Sequence, residues 1–165
     1  MYLRTLDIHG FKCFGEPFTI EFHDGLNVLV GENGAGKTGV IAAVRQLFND
    51  SESGKRLINE RDFHRGFHEA AVAAQRIDIQ ASFSDLDEDD AIAFRDWCGN
   101  EDEAKLTFTA LNLESRGRFK SQLYGGYARA TALETETLDL IHCIYLPPLR
   151  DAETKLRDGD RKSVV

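Results

Sequence analysis

The sequence predicts an α/β fold in which an antiparallel β layer stands beside a mixed sheet and a glycine loop opens a helix. Three observations lead there. Residues 31–38 read GENGAGKT and fit G-x-x-x-x-G-K-[ST] through Gly31, Gly36, Lys37 and Thr38. Before them, Leu26 to Val30 is a short aliphatic and β-branched run, as a buried strand requires. After them the period changes, and Val40, Ile41, Val44, Leu47 and Phe48 share one face of a helix over 37–49. Strand, glycine loop and helix in that order are the context of a phosphate-binding loop.

The chemistry explains the residue types. A triphosphate needs many donors at close range. Gly34 and Gly36 let the backbone curl and approach without a Cβ in the way. The N–H groups around Gly34 to Thr38 then point inward at the positive end of the helix. Lys37 is placed to reach the β- and γ-phosphates, and the Thr38 hydroxyl to bind Mg²⁺. The expected ligand is ATP with Mg²⁺. Its cradle is Gly31, Glu32, Asn33, Gly34, Ala35, Gly36, Lys37 and Thr38, with Thr38 on the metal.

The other elements follow in order. Residues 2–9 and 17–23 read as paired strands around Gly10 and the Gly15-Glu16-Pro17 turn. In the second, Phe18, Ile20 and Phe22 alternate with Thr19, Glu21 and His23, which buries one face. From Ser51 to Ala70 there is little periodicity, and the stretch reads as solvated loop. His64 and His68, with Asp62 and Glu69, mimic a metal-binding face, but Gly66 weakens a helix there and no third ligand is evident. Residues 75–83 alternate as a strand. A helix follows, with Asp85 and Glu88 spaced as a capping box and Gly99 as its end. The acidic run Asp85 to Asp90 reads as a helix N-terminus favoured by the dipole, not as a metal cluster. Residues 105–113 and 118–124 form two strands around Ser115-Arg116-Gly117, and Gly125-Gly126 ends the second. A helix is expected over 132–138. Residues 140–146, LIHCIYL, are nearly continuous apolar and predict a strand buried on both faces, parallel and adjacent to 26–31. Pro147-Pro148 stops it, and a short helix over 151–156 precedes a polar tail.

Composition bounds the function. The chain has 165 residues, 42% hydrophobic and 29% charged, which suits one domain or a large piece of one. No apolar run approaches the roughly 20 residues of a membrane span. The N-terminus has no apolar signal-peptide core, so the expected location is the cytoplasm. Cys13, Cys98 and Cys143 form neither a disulfide framework nor a zinc pattern. The net charge of −8 disfavours general nucleic-acid binding, and any DNA contact requires a local basic patch or a further part of the protein.

Partner motifs for catalysis are missing, and no catalytic residue is identified. A Walker B strand needs about four apolar residues ending in Asp, and the nearest segment, ASFSDLDE, is too polar. No LSGGQ-like signature is present; Gln122 to Gly126 lacks the serine and reads as a strand end. The guanine-specific N-K-x-D is absent too. Asp158-Gly159-Asp160 follows a polar stretch and reads as a turn, not as a nuclease metal pair.

At this point the chain resembles a known family. LDIHGFKCFGE followed by FTIEFHDGLNVLVGENGAGKT is similar to the opening of the SMC/RecF-type ABC ATPases. IYLPPLRDAETKL resembles, more narrowly, the OLD (overcoming lysogenisation defect) ATP-dependent endonucleases. The first likeness covers about the first fifty residues, and the second is short. The resemblance implies an ATPase head that forms a homodimer around ATP and acts on DNA, with a Toprim nuclease in true OLD proteins. It implies that residues 1–165 are the N-terminal part of an ABC-type domain, with signature, Walker B and nuclease residues elsewhere. It also places Lys12 near the nucleotide phosphates. Residues 146–151 lack the glutamine that such heads often carry near the γ-phosphate. Other readings are a transporter nucleotide-binding domain, a small-substrate kinase and a non-hydrolysing regulatory module. The transporter signature and the kinase's arginine-rich lid are not evident.

Overall fold

Alternating apolar residues in the predicted strands bury one face and build the architecture. A computed structural model describes residues 1–48, 58–67, 71–99, 103–113, 118–128 and 135–146. The predicted segments 114–117, 132–134 and 147–165 lie outside the described residues, as do His68 and Glu69. They include the Ser115-Arg116-Gly117 turn, the start of the 132–138 helix, Pro147-Pro148, the 151–156 helix and Asp158/Asp160.

The strands are β1 (Tyr2–His9), β2 (Phe18–Glu21), β3 (Arg76–Ser84), β4 (Ala104–Leu113) and β5 (Arg118–Gly125). They form one sheet in the order β2-β1-β3-β4-β5, with every neighbouring pair antiparallel. Register follows the side-chain pattern, because a one-residue slip would turn the apolar set to solvent. Ile8 stands opposite Ile79, and Ile79 opposite Phe108. With Leu6, Ile77, Ala81, Phe83 and Leu106 they share the buried face. A register shift between Leu3 and Thr5 keeps Leu3 against Phe83 on that face.

Helix α1 (Lys37–Leu47) covers the buried face. Val40, Ala43 and Leu47 recur at helical spacing and are buried with Phe48. Burying each of the larger of these side chains contributes about 1.5–3 kcal/mol. Ile41, expected on the same face, is exposed instead, because it lies one position around the helix from Val40. The helix stops at Phe48, whose extended backbone turns the chain while its N–H still donates to the Val44 carbonyl. Helices α2 (Glu88–Ala93) and α3 (Thr135–Asp139) are short. The capping box of α2 is two residues later than the sequence spacing predicts. Asp87 accepts from the Asp90 N–H, and Asp90 returns the bond. Asp85 lies at φ 60, a turn conformation that cannot serve as N-cap.

Two expected strands are not formed. Residues 26–30 and 142–146 are not strands, and no described strand pairs with either. Val30 is 85% exposed and Ile144 83%. A strand buried on both faces needs paired edges and cover on both sides. Among the described residues helices, not strands, stand beside them: Leu29, Cys143, Ile144 and Leu146 line a groove of about 600 Å³ with Ile41 and Val44 of α1, and Leu138 of α3 lines another with Ile141 and Ile144. The antiparallel layer and the loop-borne helix of the expected fold are therefore present, without the parallel pair. In the antiparallel layer, Phe18 is more exposed than its alternation predicts, because β2 is an edge strand.

Candidate functional site

Glycine positions shape the loop between residues 31 and 38. Gly34 lies at φ 88 and Gly36 at φ 95, the left-handed region that only glycine enters without strain. Gly36 is also the N-cap of α1. It has no side chain to cap the helix, and the first turn carries no acidic residue. The helical ladder begins where the Val40 N–H donates to the Gly36 carbonyl at 3.0 Å. The N–H groups of Lys37, Thr38 and Gly39 precede that ladder and stand at the positive end of the helix dipole. The Lys37 ammonium folds back and donates to the carbonyls of Gly31 and Glu32, both at 2.7 Å. Thr38 is exposed beside them. Backbone donors, a cation and a hydroxyl thus converge without a competing carboxylate side chain from the helix. That donor set fits a polyphosphate and a hard cation bridging it.

A second segment supports the loop. Phe11 and Phe14 exchange backbone hydrogen bonds at 2.8 and 3.1 Å, closing a tight turn over Lys12 and Cys13. A Cβ on Gly36 would stand 3.1 Å from Cys13 Sγ and 3.2 Å from the Phe14 ring. The turn therefore presses on the start of α1. Phe14 also stacks on Phe18, ring centroids 5.0 Å apart.

Lys12, placed near the phosphates by the family resemblance, is engaged elsewhere. Its ammonium donates to Asp62 Oδ1 at 2.8 Å, and its N–H donates to the Asp62 carbonyl at 2.8 Å. Asp62 is 5% exposed, so the stretch expected to be solvated loop holds a buried carboxylate. Residues 60–62 form a 3-10 turn capped by Asn59, and Phe63 is buried after it. His64 is committed too. Its Nδ1 lies 2.8 Å from the Lys12 carbonyl, and its ring packs against Gly15. Among the described residues no group of three His, Cys, Asp or Glu side chains is arranged to hold a metal. No helix there is long and apolar enough to cross a membrane.

Sequence reasoning thus finds the loop but misses Asp62, Cys13 and Phe14. The flanking glycines Gly10 and Gly15 are the only sequence sign of a tight turn. Gly10 lies at φ 68, and a Cβ there would collide with the Arg76 carbonyl oxygen at 2.0 Å.

The family model described as AAA ATPase domain matches residues 1–141. The chromosome partition protein Smc of Halothermothrix orenii is 38% identical over 61 residues, 37% of this chain and 5% of that protein. The chain thus spans a small part of the length of that relative. An Smc head bound to the C-winged helix domain of ScpA superposes with a TM-score of 0.55 at 22% identity, covering 84% of this chain and 39% of that one. An SMC ATPase structure from work on ATP-driven dimerization and DNA-stimulated activation gives 0.54 at 24% identity, covering 84% and 76%. These likenesses show the fold: the N-terminal lobe of an ABC-type P-loop NTPase.

Proposed function

The chain belongs to the AAA ATPase domain family, and on that premise we propose that it is the ATP-binding lobe of a DNA-acting ATPase. The observation that carries the reading is the opening of α1: a left-handed Gly36 without a side-chain cap, and Lys37 held over the loop by two carbonyls. A nucleotide's phosphates offer Lys37 charged acceptors in place of neutral ones, which are about twice as strong. Gly31, Glu32, Asn33, Gly34, Ala35, Gly36, Lys37 and Thr38 form the cradle, and Thr38 is the Mg²⁺ ligand. Mg²⁺ supplies charge neutralisation between the β- and γ-phosphates when bound. Lys12 joins the set by resemblance, beside the loop in its ion pair with Asp62.

The remaining parts of the reading rest on likeness. Residues 1–165 act as the N-terminal part of an ABC-type ATPase domain. No Walker B carboxylate or signature serine is identifiable in the sequence, so hydrolysis draws on residues outside it. Two heads pair around ATP, as the similar SMC ATPases do in ATP-driven dimerization. The DNA contact rests on likeness to SMC ATPases with DNA-stimulated activation; of this chain's own residues, Arg61 and Arg65 line a cleft of about 430 Å³ beside Glu60, with Lys12 already paired to Asp62. Within the family, an OLD-like ATP-dependent endonuclease in DNA repair or phage defence is the narrower reading, carried by IYLPPLRDAETKL. A transporter lobe or a non-hydrolysing regulatory module is the alternative. Competition of a fluorescent ATP analogue by ATP and Mg²⁺ tests the binding reading, and absence of competition contradicts it.

A further inference from the structure

We propose that Asp62 is a positioning residue for the phosphate loop, acting through the Lys12 turn; this rests on the reading of residues 31–38 as an ATP site. Asp62 does not belong to the loop or to α1. Its carboxylate is buried and fully engaged: Oδ1 accepts from the Lys12 ammonium at 2.8 Å, and Oδ2 from the Asn59 N–H at 3.0 Å. Its carbonyl accepts the Lys12 N–H at 2.8 Å. Lys12 lies at φ 49, a conformation that costs energy for a lysine and persists only where its surroundings hold it. His64 completes that hold through two contacts. The His64 N–H donates to the Gly10 carbonyl at 2.9 Å, and His64 Nδ1 lies 2.8 Å from the Lys12 carbonyl.

The next two residues transmit the constraint. Cys13 Sγ and the Phe14 ring stand against Gly36, and Phe14 Cε2 would lie 2.9 Å from a Cβ on Gly39. Those glycines open α1, where the unsatisfied N–H donors stand. The chain of contact runs from Asp62 to Lys12, from Lys12 to Cys13 and Phe14, and from these to Gly36 and Gly39. Removing the charge of Asp62 frees the Lys12 turn, and the loop loses the wall that fixes its curl. Lys12 then matters through the backbone it holds and not only through its ammonium.

The test reads the turn and the loop separately in the whole chain. Cys13 is exposed, so its alkylation rate, resolved by peptide mass spectrometry, reports the turn; Cys98 and Cys143 serve as internal controls. Affinity for a fluorescent ATP analogue with Mg²⁺ reports the loop. Asp62→Asn keeps the side-chain volume. It is expected to speed Cys13 alkylation several-fold while leaving Cys98 and Cys143 unchanged, and to weaken the analogue about tenfold, the scale of one lost charge-assisted bond. Lys12→Met is expected to do the same, Lys12→Arg to stay near wild type, and the double variant Asp62→Asn/Lys12→Met to match the single ones. An unchanged Cys13 rate, equal acceleration at all three cysteines, or additive losses in the double variant would overturn the proposal. If Asp62→Asn does not fold, the contrast of Lys12→Met with Lys12→Arg decides by the same readouts. If the wild type binds no nucleotide, the ATP reading fails, and the Cys13 rates still decide whether Asp62 sets the turn.

Discussion

The ring of Phe14 lies so close to the backbone of Gly39 that a Cβ on residue 39 would stand 2.9 Å from Phe14 Cε2. In an ordinary helix, replacing glycine with alanine stabilises by roughly 0.5–1 kcal/mol. Here the added methyl overpacks a contact that holds the supporting turn, a cost of about 1–3 kcal/mol. Gly39→Ala is therefore expected to lower stability in urea unfolding, and Phe14→Leu in the same chain to restore part of it. A stabilised Gly39→Ala would show that the turn does not press on the helix.

Gly36 is constrained differently. At φ 95 it sits where a side chain is strained whatever the space around it, at a cost of about 1–3 kcal/mol. Gly36→Ala is expected to lower the melting temperature and to abolish ATP binding together. Pairing it with Cys13→Ala removes the 3.1 Å contact but not the backbone strain, so the double variant is expected to stay destabilised. Full recovery would place the cause in the contact.

Leu26 to Val30 and residues 140–146 are nearly continuous apolar runs, yet the structure leaves them beside α1 without strand partners. Val30→Ser and Ile144→Ser are expected to change stability by less than about 0.5 kcal/mol, as surface substitutions do. Ile79→Ala, in the sheet centre and fully buried, is expected to cost about 2–5 kcal/mol. Denaturant melts of the three variants check this. A loss of several kcal/mol at Val30 or Ile144 would mean that these segments are core strands in solution.

These segments mark the boundary of what the sequence makes legible. Strands such as β3 are readable because they alternate, and alternation states which face is buried without reference to any partner. Ile77, Ile79, Ala81 and Phe83 are the clearest case, and all are buried. A continuous apolar run such as LIHCIYL states only that a strand needs cover on both faces. Whether cover is there depends on other segments, and the run itself does not say. The site divides the same way. The loop is local, so its glycines and Lys37 stand at fixed spacing. Asp62 acts on Lys12 across fifty residues of sequence, and neither residue type nor spacing announces the pair. Asp62 and His64, read from sequence as part of a solvated loop, are instead spent on the Lys12 side chain and backbone.

The chain alone is expected to neither hydrolyse ATP at a useful rate nor cut DNA. Phosphoryl transfer needs a positioned water and charge stabilisation beyond the γ-phosphate, and the sequence supplies only the cradle, the lysine and one Mg²⁺ ligand. Phosphate release, and nicking of supercoiled DNA with Mg²⁺ or Mn²⁺, are the assays. Turnover that disappears in Lys37→Ala would contradict the expectation. Asp139, exposed at the end of α3 and lining a groove with Phe48 and Ile141, would then be the first carboxylate to replace.

The central claim is that residues 31–38 hold the phosphates of ATP. Calorimetric titration of Mg²⁺-ATP into the wild-type chain and into Lys37→Ala tests it most directly. Lys37 donates to two loop carbonyls, and its ammonium is not part of the buried core, so its removal leaves the fold intact. Loss of one charge-assisted contact of about 1.5–3 kcal/mol corresponds to an affinity lower by roughly 10–100-fold, with an unchanged melting temperature. Equal affinity in the two proteins would contradict the assignment.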